Sequence, residues 1–269
     1  MIKSNFHTHT TFCDGKNTAE EMILSAINEG LSEIGFSGHS PMDFECCWCM
    51  KREEVPEYID TLRALREKYK HKIKVYIGIE QDYYSTTDTS DFDYVLGSVH
   101  YILKDGEYLP LDESLDKTKE NIDIYYGGDA MAYCRDYYKL VGDVYEKTKC
   151  DIIGHFDLIT KFNEKMRIID TGCSEYVEMV SLALSSLLKS GAVFELNTGA
   201  ISRGYRTSPY PEDYIVDMID KAGGAFVVCS DSHNTGTVYA FCEENKKQLI
   251  KNGCTVFDEL EAILKKTQG

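Results

Sequence analysis

His7 and His9 are separated by one residue, so on an extended chain both imidazoles point to the same side and can hold a single cation. A lone His-x-His says little, but groups of the same kind recur along the sequence: Asp14, His39, Glu80, His100, His155, Asp231 and His233. Six of the chain's seven histidines fall at the ends of predicted β-strands, Glu80 and Asp231 fall at matching ends, and Asp14 lies just past the first. Successive parallel strands bring such ends to one point, which in an α/β barrel is the active-site face. Nitrogen and oxygen donors gathered there suit Zn, Mn or Fe.

The elements that must position these groups follow the order strand, loop, helix. Residues 2–6 form a short apolar run ending at His7. Thr18-Ala19-Glu20-Glu21 then fits a capping box, with Met22, Ile23, Ala26 and Ile27 as an apolar stripe that stops at Gly30. Residues 33–37 run into His39. Val55, Ile59, Leu62 and Leu65 have helical spacing, and residues 73–79 read as a buried strand delivering Glu80. Residues 94–99 deliver His100. After a tyrosine-rich helical stretch at 130–147, Ile152 and Ile153 lead to His155. Residues 192–196 and 225–229 form two further strands, each preceded by an amphipathic helix, and the second delivers Asp231 and His233. Strands alternating with helices predict parallel pairing through right-handed crossovers. The expected fold is therefore α/β, a distorted (β/α)7 TIM-like barrel one strand short of the usual eight, with residues 1–269 as a single domain.

The bulk properties narrow the function. A net charge of −16 without a Lys/Arg cluster repels nucleic acid and acidic membranes, favouring a small-molecule substrate. No apolar run approaches the length of a bilayer span, and the N-terminus enters a strand directly, so a cytoplasmic location is expected. The ten cysteines are then expected to be reduced thiols.

Phe12-Cys13-Asp14-Gly15, Gly38-His39-Ser40-Pro41, Gly78-Ile79-Glu80, Gly97-Ser98-Val99-His100, Gly154-His155 and Ser230-Asp231-Ser232-His233 follow His7 and His9 in order. This set resembles the polymerase and histidinol phosphatase (PHP) superfamily over nearly the whole chain. Gly38-His39-Ser40-Pro41, Gly78-Ile79-Glu80 followed by Tyr83-Tyr84, and Gly97-Ser98-Val99-His100-Tyr101 are most similar to its monofunctional bacterial histidinol-phosphatases.

The resemblance implies two to three divalent ions (Zn, Mn or Fe). His7, His9, Glu80 and Asp231 would hold the first. A bridging Glu80, His100 and His155 would hold the second, and Asp14, His39 and His233 the third. Some relatives have a histidine where this chain has Asp14. Glu80, Asp231 and His233 are the expected catalytic residues. The implied reaction is hydrolysis of L-histidinol phosphate, a small-molecule phosphate monoester, by a metal-bridging hydroxide, with no phospho-enzyme and no nucleophilic cysteine.

The segment from Asn197 to Arg206 follows the sixth strand, and the resemblance implies a phosphate-gripping arginine there: Arg203 first, Arg206 second. Lys161, on another active-site loop, would add positive charge, although an exposed lysine explains it as well. The competing functions are a PHP phosphoesterase for nucleotide or sugar phosphates, a metal-dependent C–N hydrolase, and a metal-binding regulatory module without turnover.

Other features read more plainly. Cys46-Cys47-Trp48-Cys49 lacks the second Cys pair of a zinc ribbon and falls in the long loop after His39, which in relatives helps cover the substrate pocket. Glu195 and Asn197 face the same way along their strand and could orient ligand histidines. His71 reads as a surface residue. The paired tyrosines Tyr83, Tyr84, Tyr125, Tyr126, Tyr137 and Tyr138 could line a pocket, or simply pack helices and barrel.

Overall fold

The structure is a computed structural model and describes residues 3–267. Ile2, where the first strand is expected to begin, lies outside the described residues. In chain order the elements are β1 (Ser4–Asn5), α1 (Ala19–Asn28), β2 (Glu33–His39), α2 (Val55–Tyr69), β3 (Lys74–Asp82), β4 (Tyr94–Ser98), β5 (Tyr101–Lys104), β6 (Glu107–Pro110), α3 (Leu115–Tyr126) and α4 (Ala130–Thr148). They continue with β7 (Ile152–Ile153), α5 (Ser174–Leu187), β8 (Val193–Asn197), α6 (Gly199–Ser202), α7 (Asp213–Lys221), β9 (Ala225–Cys229), α8 (Cys242–Lys251), β10 (Thr255–Val256) and α9 (Leu260–Thr267).

One parallel sheet runs β1-β2-β3-β4-β7-β8-β9-β10, as the alternation of strands and helices requires. Just past β1 and β9 the chain closes the ring: Thr8 bridges Ser232, with His9 N–H donating to Ser232 O at 2.9 Å and Ser232 N–H to His7 O at 3.2 Å. Seven strands thus encircle the interior. The eighth, β10, adds to β9 through Thr255 and Val256 only, too short a run to show any periodicity in the sequence. The β5–β6 hairpin stands apart from the ring as a second, antiparallel sheet, and it too was not foreseen.

The capping box forms as expected: Glu21 N–H donates to Thr18 Oγ1 while the Glu21 carboxylate receives the Thr18 N–H at 2.8 Å. Strand and helix side chains such as Ile34, Phe36, Ile77, Met22 and Leu62 form the layer between ring and helices. A second cluster of Phe6, Leu96, Ile152, Val193 and Val227 packs on Leu260 and Ile263 of α9. That helix sits at the N-terminal end of the strands, where Leu260 N–H donates to Glu33 at the start of β2 and Thr267 bonds Asp151 just before β7. The opposite end is left for the ligand-bearing loops.

Gly78 is required by this packing. Tyr94 lies across it to donate to Phe6 O at 2.6 Å, and a Cβ on Gly78 would meet that ring at 2.3 Å. Among the described residues no helix is long and apolar enough to cross a membrane.

Candidate metal centre

Glu80 lies near the C-terminal end of β3 inside the ring, 1% exposed, and its two oxygens face different partners. Oε1 lies 2.9 Å from His155 Nε2 and 3.4 Å from His100 Nε2. Oε2 lies 2.9 Å from His39 Nδ1, 3.1 Å from His7 Nε2 and 3.6 Å from His9 Nε2. One carboxylate thus stands between two sets of imidazoles, the posture a bridging ligand needs. Burial alone would push its pKa up, but the surrounding histidines, His39 and His7 foremost, hold it well below the usual carboxylate range.

Asp231 approaches from β9, with Oδ1 3.1 Å from His9 Nε2 and 3.6 Å from His7 Nε2. Its backbone is left-handed, φ 48°, a conformation that Asp tolerates better than most residues. Asp14 Oδ2 lies 3.2 Å from His233 Nε2, and Oδ1 lies 3.6 Å from His39 Nε2 and 3.7 Å from His9 Nδ1. All nine residues singled out in the sequence therefore converge. Their donor atoms form four overlapping groups: His9, Asp14, His39 and His233; His7, Glu80 and His155; His7, His9 and Asp231; and His39, Glu80 and His100. The expected third set gains His9 in this arrangement.

The donor set fits divalent cations. His9 Nε2 is fully buried, and the Asp231 oxygen 3.1 Å away is not placed for a hydrogen bond to it, an arrangement that costs free energy unless something accepts its lone pair. Burial and the neighbouring His233 and His39 hold His9 down to about 3, so the ring is neutral and keeps one nitrogen lone pair to offer a cation. His7 behaves oppositely: against the effect of burial, Glu195 and Glu80 raise it well above the ordinary value.

Several orienting groups were missed or only suspected in the sequence. Glu195 Oε1 meets His7 Nδ1 at 2.6 Å, while Oε2 accepts from His155 N–H at 2.8 Å and from the Asn197 amide at 3.0 Å. Asp82 holds His100 Nδ1 at 3.1 Å, and Ser98 donates to Glu80 Oε1 at 2.6 Å. Asp82 sits two residues past Glu80 on β3, so its position on the ligand face was readable from strand alternation.

A cavity of about 520 Å³ opens over the cluster, lined in part by Trp48, Tyr101, Lys161, Arg203, Tyr205 and His233. Arg203 is bound to Asp231, through Nη2 to Oδ2 at 2.8 Å and Nη1 to the carbonyl at 2.9 Å. Lys161 reaches the cavity but pairs with Asp112 at 2.9 Å and is only 8% exposed, so it is not a free surface lysine. Arg206 does not line the cavity. It is 5% exposed, donates to Thr160 Oγ1 at 2.6 Å and stacks over Tyr210, a structural tie between two loops. None of the six paired tyrosines lines the cavity either; Tyr137 and Tyr138 pack inside the helix layer.

The expectation of wholly reduced cysteines is corrected. Cys46 and Cys49 are joined by a disulfide across a Cα–Cα distance of 5.6 Å, because the loop turns sharply enough to bring residues three apart into bonding range. His71 is exposed, as expected.

Residues 5–199 match the PHP domain. The chain belongs to this family. Among PHP relatives it is 30% identical to a probable histidinol-phosphatase of Deinococcus radiodurans, covering 93% of this chain and 94% of that one. It is 26% identical to the histidinol-phosphatase of Bacillus subtilis, over 90% and 97% of the two chains. A putative histidinol phosphatase from Listeria monocytogenes shares the fold with a TM-score of 0.79, at 23% identity over 90% of this chain and 99% of that one. The Lactococcus lactis histidinol phosphate phosphatase, solved with zinc, L-histidinol and phosphate, shares it at 0.74, with 21% identity and 95% of each chain covered.

Proposed function

We propose that this PHP protein is a metal-dependent histidinol-phosphatase, converting L-histidinol phosphate and water to L-histidinol and inorganic phosphate. The observation that carries the reading is Glu80, with one oxygen toward His100 and His155 and the other toward His7, His9 and His39, beneath a cavity that also holds Arg203. The curated relatives of nearly equal length carry this activity in their names, and the Lactococcus lactis structure holds zinc with both reaction products.

The nine residues of the cluster would hold two or three divalent ions, with Zn, Mn and Fe all suited to nitrogen and oxygen donors. Such ions, when bound, activate water near neutral pH and neutralise phosphoryl oxygens. The chain's own residues do the rest. Arg203, anchored by Asp231, points a planar cation into the cavity toward a phosphate. Lys161 adds a second positive group whose position Asp112 fixes. Glu195 and Asp82 hold His7 and His100 in single orientations, leaving the Nε2 atoms directed at Glu80. His233, between Asp14 and Asp231, also lines the cavity.

The test is phosphate release from L-histidinol phosphate beside nucleotide and sugar phosphates, using protein stripped of metal and reloaded with Mn, Zn or Fe. Preference for L-histidinol phosphate that vanishes without metal supports the reading. Turnover of another panel member instead would retain a phosphatase and discard the substrate.

A further inference from the structure

The cavity has an outer half that the cluster does not explain. There the loop of residues 40–51 crosses from the end of β2 and places Trp48 beside His39, with ring centroids 4.5 Å apart and planes at 78°. Trp48 lies parallel to Tyr101, within 5°, at a centroid distance of 5.9 Å. The two rings make one aromatic wall of the cavity.

The wall is built rather than incidental. The Cys46–Cys49 disulfide pins the turn that carries Trp48. Phe44 stacks on Tyr108 of β6 at 3.9 Å, docking the loop on the hairpin. Met50 N–H donates to His39 O at 3.1 Å, and Ser85 Oγ donates to Pro41 O at 2.7 Å, fixing both ends of the loop.

The cavity lining also carries acidic side chains. Glu45, from the loop, and Glu113, just past β6, both line the cavity, and neither forms an ion pair among the described residues. The nearby base, Lys161, is already matched by Asp112. An aromatic wall with uncompensated negative charge beside it attracts a planar or cationic group and repels an anionic one.

We propose that Trp48, with Tyr101, is the specificity wall for the leaving alcohol: it receives a flat ring, while Glu45 and Glu113 receive the positive charge of that alcohol. This inference rests on the phosphatase reading above and adds the residues that choose among phosphate monoesters. It assigns the Cys-x-x-Cys a role as a strap on the specificity loop, which needs no metal or redox cycle.

The experiment uses the metal-loaded full chain and four substrates: L-histidinol phosphate (ring and ammonium), benzyl phosphate (ring only), phosphoethanolamine (ammonium only) and phosphoglycolate (anionic). Trp48→Ala should lower kcat/KM by about tenfold for the two ring-bearing substrates and by less than about threefold for phosphoethanolamine, the scale of one aromatic or cation–π contact. Glu45→Gln combined with Glu113→Gln should reverse the pattern, hurting the two ammonium substrates and sparing benzyl phosphate. An equal loss across all four, or none, overturns the proposal.

Trp48 is the only tryptophan, so L-histidinol should also change the intrinsic fluorescence of the unaltered protein in a saturable way. This readout stands even if Trp48→Ala fails to fold, and an unchanged emission at saturating L-histidinol counts against the wall. Failure of the functional reading looks different: L-histidinol phosphate would lose to another substrate in the unaltered protein, while the benzyl, ethanolamine and glycolate esters still report on the wall.

Discussion

Glu195 and His7 meet at 2.6 Å inside the ring, and both are fully buried. The contact ties β8 to the chain just past β1 and leaves His7 Nε2 as the nitrogen that faces Glu80 and Asp231. Replacing Glu195 by Gln removes the charge that fixes this orientation and leaves one oxygen to serve both His7 and the His155 N–H. Metal affinity is expected to fall roughly 10- to 100-fold. A competition titration against a chelator measures it, and an unchanged affinity would show that His7 needs no such partner.

The two arginines of the loop after β8 should separate cleanly. Arg203 faces the cavity and Asp231, whereas Arg206 is enclosed by Thr160, Asp157 and Tyr210. Arg203→Ala should cost phosphatase kcat/KM on the order of 100-fold, the scale of losing one charge-stabilising donor. Arg206→Ala should destabilise the fold by about 1–3 kcal/mol, because it leaves the buried Thr160 hydroxyl without its donor and removes the stacking on Tyr210, while the KM of the surviving enzyme stays the same. The opposite assignment of effects would exchange the roles given to the two side chains.

The sequence made the ligand set legible because the ligands, Asp14 apart, sit at or just past the C-terminal ends of strands with apolar runs, and parallel pairing then forces those ends together. His39 and Glu80 are directly paired across β2 and β3. The strand order round the ring followed from the same alternation. β10 and the β5–β6 hairpin were hidden because two to four residues carry no usable period. The two arginines were ordered with Arg203 ahead of Arg206, and the burial of Arg206 away from the cavity now separates them. The Cys46–Cys49 bridge was misjudged because compartment chemistry says nothing about a turn that already holds two sulfurs together.

Asp14 stands at the rim, with its side chain 32% exposed, and contacts His9, His39 and His233 from outside the packed interior. Asp14→Ala should therefore leave the stability of metal-free protein within about 0.5 kcal/mol of the original. Bound metal should fall by about one ion per chain, as counted by elemental analysis after gel filtration. Full metal content in this variant would remove Asp14 from the ligand set.

Asp112 predicts an acid-dependent loss of stability. Burial pushes its carboxyl up, but Lys161 at 2.9 Å, helped by His100, outweighs burial and holds it at about 2, below its ordinary value of 3.8. A folded-state pKa lower than the unfolded one contributes stability that is complete above about pH 4 and disappears as pH falls toward 2. Asp112→Asn should accordingly melt below the original protein at pH 6, and the gap should close between pH 4 and pH 2. A gap independent of pH would mean that the pair contributes through packing, not charge.

Seven of the ten cysteines fall by environment into three classes that alkylation can distinguish. Cys47 is exposed at the cavity edge, whereas Cys134, Cys150, Cys229 and Cys242 are buried. Burial pushes the Cys150 and Cys242 thiols up to about 12, so at pH 8 only about one part in ten thousand is thiolate, the reactive form. Iodoacetamide at pH 8 should label Cys47 within minutes and spare these four until the protein is unfolded. Cys46 and Cys49 should become labelled only after a dithiol reductant opens their bridge, and if the bridge seats Trp48, the same treatment should shift the tryptophan emission. Peptide mass spectrometry read beside the fluorescence separates the cases. Labelling of Cys46 and Cys49 without reductant would show the bridge absent in solution, and labelling with no spectral change would show that Trp48 is held by Tyr101 and the hairpin alone.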